Sequence, residues 1–174
     1  QLGPDTRLTG WDGCSGYHYT DSIIYGFSHT QLSGTGISDY GDVLLMPFNN
    51  KTGIDLEQIS NQKQIPSHFD KQTEIAQPGY YEVLLEKPNI EVKLTTTTRV
   101  GIHKYKFNKI QDNKILLDLN HRDRVLLSEI NMESSTTISG IRQSQAWATN
   151  QMVYFFMEFS VPFQKEAIES GDKN

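Results

Sequence analysis

The chain of 174 residues carries one cysteine, Cys14. A single thiol closes no internal disulfide, and cysteine-ligated metal sites need more thiolates. Such a chain suits either an extracytoplasmic bacterial setting or the cytosol. Positive charge is also sparse: 16 Lys and Arg stand against 21 Asp and Glu, a net charge of −5. No basic run marks a nucleic-acid binder. The longest apolar stretch, around Met152 to Phe159, falls far short of a membrane span and contains Glu158. The opening "QLGPDTRL" has neither a Met nor a signal peptide, and "QKEAIESGDKN" is a polar tail directly after a strong strand pattern. The expectation is one excised domain, residues 1–174, rather than a full precursor. That length is enough to bury a real core.

What the chain does have is period-two alternation. "IEVKLT" sets Ile90, Val92 and Leu94 on one face and Glu91, Lys93 and Thr95 on the other. "YYEVLLE" alternates through Tyr81, Val83 and Leu85, and "KILLDLN" through Ile115, Leu117 and Leu119. "MVYFFMEFSVPF" is apolar on much of both faces, as a central strand covered on both sides would be. "RVGIHKYKF" changes phase between Val100/Ile102 and His103/Tyr105/Phe107, which predicts a bulge near Gly101 or His103. Turn signals at Lys87–Asn89, Gln111–Lys114 and Asn120–Asp123 separate these runs. Strands at short spacing without an amphipathic helix between them predict an all-β fold, an antiparallel β-sandwich. Lys51 to Pro78 is less regular and reads as a long connection into a strand.

The region from Gly10 to Asp42 is rich in glycine, aromatics and short polar side chains. "SGTG" invites a nucleotide-loop reading, but no Lys follows it and no G-x-G-x-x-G opens a helix. Carbohydrate suits the residue types better. Aromatic faces stack on the C–H face of a sugar, and planar polar groups bind its hydroxyls. Trp11, Asp12, Tyr17, His18, Tyr19, Ser28 and His29 supply both kinds of group within a short span.

"GWDGCSGYHYTDSIIYGFSHTQLSGTGISDYGDVLLMP" resembles the signature of glycoside hydrolase family 92, the calcium-dependent exo-α-mannosidases. Three further ordered blocks are similar to that family: "SHFDKQTEIAQPGYYEVLL", "KLTTTTRVGIHKYKF" and "ISGIRQSQAWATNQMVYFFMEFSVPF". The resemblance implies an N-terminal β-sandwich of the supersandwich type, here incomplete and without the helical (α/α)₆ barrel that follows it in family members. It also implies an inverting hydrolysis of mannosides, with α-1,2 linkages as the expectation. Inversion needs two carboxyl groups roughly 6.5–9.5 Å apart. In the family those acids and the calcium ligands lie mainly on the barrel, so no catalytic residue and no metal ligand is carried over to this chain. The implied partners are a mannose-containing glycan and the barrel of the same polypeptide. The implied setting is periplasmic or extracellular, in N-glycan degradation.

Trp11, Asp12, Tyr17, His18 and His29 are the candidate substrate-binding residues. Each has a plainer alternative. Trp11 could anchor its loop on the sandwich, and Asp12 could cap a turn before Gly13. His29 could hydrogen-bond internally to fix the loop. Asp39 and Asp42 read as turn caps, Arg99 and His103 as sheet or interdomain residues, and Trp147 as core or interdomain packing. Three function classes compete: the non-catalytic sandwich of a mannosidase, a stand-alone carbohydrate-binding module, and a purely structural domain.

Overall fold

The computed structural model describes residues 2–7, 16–32, 40–52, 65–108 and 112–165. Thirteen strands appear among them: β1 (Gly3–Asp5), β2 (Ile23–Ile24), β3 (Gly26–Ser28), β4 (Leu44–Phe48), β5 (Ser67–His68), β6 (Ile75–Gln77), β7 (Tyr80–Leu85), β8 (Ile90–Thr96), β9 (Gly101–Phe107), β10 (Lys114–Asp118), β11 (Arg124–Met132), β12 (Thr137–Gln145) and β13 (Gln151–Glu158). Among the described residues, helix is limited to two short 3-10 turns, at Asn50–Thr52 and Lys71–Thr73. All strand pairs are antiparallel. Their spatial orders are β1-β3-β4-β10, β6-β7-β8-β9, β11-β12-β13 and the small pair β2-β5.

The sandwich forms where the first two sheets face each other. From one sheet come Phe27, Leu44, Met46 and Phe48; from the other come Tyr81, Val83, Leu85, Ile90, Val92 and Leu94. The inward parity of "YYEVLLE" and "IEVKLT" is therefore the one the alternation predicts. Cross-strand register makes the same point, placing Tyr81 opposite Leu94, Val83 opposite Val92 and Leu85 opposite Ile90. Such pairs on a buried face are what hold antiparallel strands in one register. Truncating a fully buried leucine such as Leu85 to Ala would cost about 2–5 kcal/mol.

Three strand expectations need correction. β9 carries no bulge: it pairs with β8 without interruption from Thr96/Gly101 to Ile90/Phe107. The phase change arises because Val100 precedes the strand, in a turn closed by the Thr97 N–H donating to the Val100 carbonyl at 2.9 Å. His103, Tyr105 and Phe107 take the inner parity opposite Leu94, Val92 and Ile90, and Ile102 points to solvent. A register shift does occur in β11, between Val125 and Leu127. β10 has the opposite phase to the one expected, since Leu116 packs on the core and Ile115 is exposed. β13 is an edge strand of its sheet, and Met152, Tyr154 and Phe156 form an exposed row along it.

The third sheet is tied to the sandwich by polar groups. Arg142 on β12 is fully buried and donates from Nη1 to Asp42 Oδ1 at 2.5 Å and to Ser144 Oγ at 2.9 Å. Its Nε donates to the Leu119 carbonyl at 2.7 Å, and Nη2 bonds the Arg122 carbonyl. Gln151 on β13 donates from Nε2 to both Asp42 oxygens, at 2.8 and 2.6 Å. Asp42 is thus the acceptor at the centre of a buried network rather than a turn cap. Trp147 is 76% exposed in the β12–β13 connection, so it fills no core. Arg99 lies exposed in the β8–β9 turn.

Candidate functional site

The described part of the glycine-rich region begins at Gly16. Its φ of +79° and its neighbours explain the residue choice: an added Cβ would stand 2.5 Å from Asp5 Oδ1. Glycine alone avoids both the strain and the clash. The Gly16 carbonyl accepts from the backbone N–H of Thr6 at 2.6 Å and of Arg7 at 3.1 Å. The Thr6 hydroxyl donates to Asp21 Oδ2 at 3.0 Å and accepts from the His18 N–H at 3.0 Å. Arg7 forks onto Asp21, with Nη2 to Oδ1 at 2.5 Å and Nε to Oδ2 at 3.1 Å. These bonds from Arg7 hold the Asp21 carboxyl below its ordinary range. The base of the 16–21 loop is closed by charge-assisted bonds, which are stronger than neutral ones.

Between these closures sit Tyr17, His18 and Tyr19. The Tyr17 hydroxyl donates to Glu74 Oε2 at 3.0 Å and accepts from Lys71 Nζ at 2.8 Å. Burial pushes its phenol pKa up. His18 Nδ1 accepts from the Thr20 N–H at 3.3 Å and lies 2.9 Å from the Thr20 hydroxyl. Because Nδ1 accepts there, the neutral ring carries its proton on Nε2, which can donate away from the turn. Tyr19 is 74% exposed.

His29 turns inward. Its Nε2 lies 2.9 Å from His103 Nε2, and His103 Nδ1 lies 2.8 Å from the Tyr105 hydroxyl. The internal hydrogen bond that the sequence left as an alternative for His29 is present. Burial lowers the His29 pKa, and burial followed by repulsion from His29 lowers that of His103 to about 3. Gly101 allows the approach, since a Cβ there would stand 2.5 Å from His29 Cε1. Beyond it, Thr30 donates its hydroxyl to Asp42 Oδ2 at 2.5 Å, and Gln31 donates from Nε2 to Ser28 Oγ at 2.8 Å and to the Gly3 carbonyl at 3.1 Å. The Ser28–Gln31 segment is therefore bonded to the sandwich directly and to the third sheet through Asp42. Trp11, Asp12 and Asp39 lie outside the described residues.

Sequence reasoning missed Lys71, Glu74, Arg142 and Gln151. A signal existed for Arg142: the alternation of "ISGIRQSQ" puts it in one row with Ile138 and Ser144, so an inward arginine needed a buried acid. Lys71 and Glu74 sit in an irregular connection where periodicity is silent. Among the described residues no group of three or more His, Cys, Asp or Glu side chains could hold a metal. Asp42, the buried carboxylate, already accepts from Arg142, Gln151 and Thr30. The described residues do not fit a calcium site, whose ion takes six to eight oxygens.

The fold is thus an antiparallel all-β domain that presents a braced loop of tyrosine, histidine and short polar side chains. The chain belongs to the glycosyl hydrolase family 92 N-terminal domain family, whose profile matches residues 1–174. Two solved structures of the family GH92 alpha-mannosidase BT3965 from Bacteroides thetaiotaomicron, one in complex with mannoimidazole, are similar to it. Each is 31% identical with a TM-score of 0.82, over 93% of this chain and 22% of that one. The chain therefore spans about a fifth of the length of those structures, with 22% covered. No curated protein matches it.

Proposed function

We propose that this domain is the non-catalytic sandwich of an exo-acting α-mannosidase that hydrolyses mannosides with inversion, walling the substrate cleft and packing on a catalytic barrel. The observation that carries this reading is the 93% coverage at 31% identity against an α-mannosidase whose complex holds mannoimidazole. The proposed sugar-contacting residues are Trp11, Asp12, Tyr17, His18 and His29. The Nε2–H of His18 suits a sugar hydroxyl acceptor. His29 has its Nε2 engaged by His103, which leaves Nδ1 for a ligand. The exposed Met152, Tyr154 and Phe156 row on β13 is the apolar surface offered for packing on the barrel.

The proposal places both catalytic carboxyl groups and the calcium ligands outside this chain. It also takes α-1,2-linked mannose in N-glycans as the substrate and the periplasm or extracellular space as the setting, on the family resemblance. The test is mannose release by the full-length protein from α-1,2-, α-1,3- and α-1,6-mannobiose, with and without a calcium chelator. Hydrolysis of the α-1,2 isomer first, abolished by chelation and giving the inverted anomer by proton NMR, is the expected result. Activity retained by the isolated 174-residue chain would overturn the non-catalytic assignment.

A further inference from the structure

The Lys71 ammonium is enclosed by aromatic faces. Nζ lies 4.6 Å from the Tyr17 ring centroid, 5.1 Å from that of Tyr19 and 4.6 Å from that of Phe69. All are within the range at which a ring face attracts a cation. The fourth side is closed by Glu74, whose Oε2 accepts from Nζ at 3.0 Å. Glu74 Oε1 accepts from the Tyr81 hydroxyl at 2.7 Å, and Tyr81 belongs to the hydrophobic core. A line of contacts therefore runs from the loop through Lys71 and Glu74 to β7. Desolvation works against the ammonium, but its bonds to Tyr17 and Glu74 outweigh this and keep it charged.

This brace is additional to what closes the loop. Thr6, Arg7 and Asp21 already fix the backbone at both ends of the 16–21 segment. Lys71 acts on the side chains in between, holding the rings of Tyr17 and Tyr19 at set positions on either side of His18. An exposed tyrosine such as Tyr19 gains little for folding from being held still. For binding the gain is direct: each side chain ordered beforehand is worth roughly two- to tenfold in affinity, because its freedom is not lost on association.

We infer that Lys71, oriented by Glu74, is a positioning residue for ligand binding by this loop: it fixes Tyr17 and Tyr19 so that the Tyr17–Tyr19 edge meets a sugar already ordered. The identity of the ligand as an α-mannoside rests on the function proposed above; the brace itself does not. Lys71→Met removes the charge while keeping an apolar stem of similar length, and Lys71→Arg keeps a cation over the rings.

The experiment measures three quantities in the full-length protein: kinetics on α-1,2-mannobiose, amide hydrogen exchange at His18 and Asp21, and the unfolding midpoint. Lys71→Met should raise KM about tenfold with kcat within about threefold. It should also accelerate exchange at His18 and Asp21 about tenfold, with the unfolding midpoint close to that of the parent. Lys71→Arg should restore most of both effects. Unchanged KM and exchange in Lys71→Met would overturn the inference, as would losses that merely track the fraction unfolded. Should Lys71→Met not fold, Glu74→Gln, which retains an acceptor for Tyr81, replaces it and is held to the same criteria with a KM rise of about threefold. If the parent protein hydrolyses no α-mannoside, the functional reading fails separately. The brace is then decided by exchange alone, with acceleration upholding it and its absence overturning it.

Discussion

Arg142 Nη1 meets Asp42 Oδ1 at 2.5 Å, with neither side chain reaching solvent. The two residues are 100 positions apart in sequence, so this ion pair joins the third sheet to the segment leading into β4. Removing one partner of a buried pair leaves a charge without compensation, which costs about 3–5 kcal/mol. Arg142→Met should therefore lower stability by that amount, read from urea unfolding midpoints. A double variant, Arg142→Met with Asp42→Asn, should recover part of the loss because no lone carboxylate remains. A loss under about 1 kcal/mol in the single variant would show that Gln151 and Thr30 suffice for Asp42.

The same pair shows what a sequence reveals. The sandwich strands were legible because β7 and β8 bury one face and wet the other, which is the condition for alternation. The network around Asp42 was not legible. An aspartate after glycine looks like a turn residue, and its partners Arg142 and Gln151 are brought to it only by the packing of a separate sheet. β13 misled for a related reason: its apolar outer row of Met152, Tyr154 and Phe156 reads as burial, yet in this domain the row faces outward. At the loop, the aromatic and polar residue types were visible, but Lys71 lies more than fifty positions away from Tyr17, at a separation of 54.

Acid should destabilise the domain through its imidazoles. His103 and His121 are held to about 3, in both cases chiefly by burial, and His29 is lowered below its ordinary 6.5. Above pH 6.5 these rings are neutral in both folded and unfolded chains, so they add no pH dependence. Between that value and about 3 the unfolded chain takes up protons that the folded chain refuses, and stability falls as pH drops. Each such proton contributes at most about 1.4 kcal/mol per pH unit. Urea midpoints at pH 7, 6 and 5 should decline for the parent and decline less steeply for His103→Asn. Parallel slopes would show that His103 is not among the responsible groups.

The β13 row should drive self-association of the isolated domain. Met152, Tyr154 and Phe156 are 48, 72 and 66% exposed on an edge strand, a combination that favours pairing with another apolar surface. Sedimentation velocity at micromolar concentration should show dimers or larger species. Tyr154→Ser with Phe156→Ser should return a monomer. A monomeric parent would show that this surface is too small to act alone.

Trp11 offers a test of the proposed cleft wall. In the full-length protein, Trp11→Ala should reduce kcat/KM roughly ten- to a hundredfold while moving the melting temperature little. A core anchor would behave in the opposite way, with about 3–5 kcal/mol of stability lost. A collapsed melting temperature with normal kcat/KM in the folded fraction would make Trp11 a structural anchor.

The outward face of β13 also bears on how such a protein is made. Translation proceeds from the N-terminus at about 5–20 residues per second, and domains fold as they emerge. If a barrel follows it, as proposed, this domain can close its sandwich and fasten β12 through Arg142 before that barrel has been synthesised. During that interval Met152, Tyr154 and Phe156 would stand uncovered on a finished domain. The nascent chain would then keep an adhesive strand after its first fold is complete, and chaperone engagement in that interval would fall on β13.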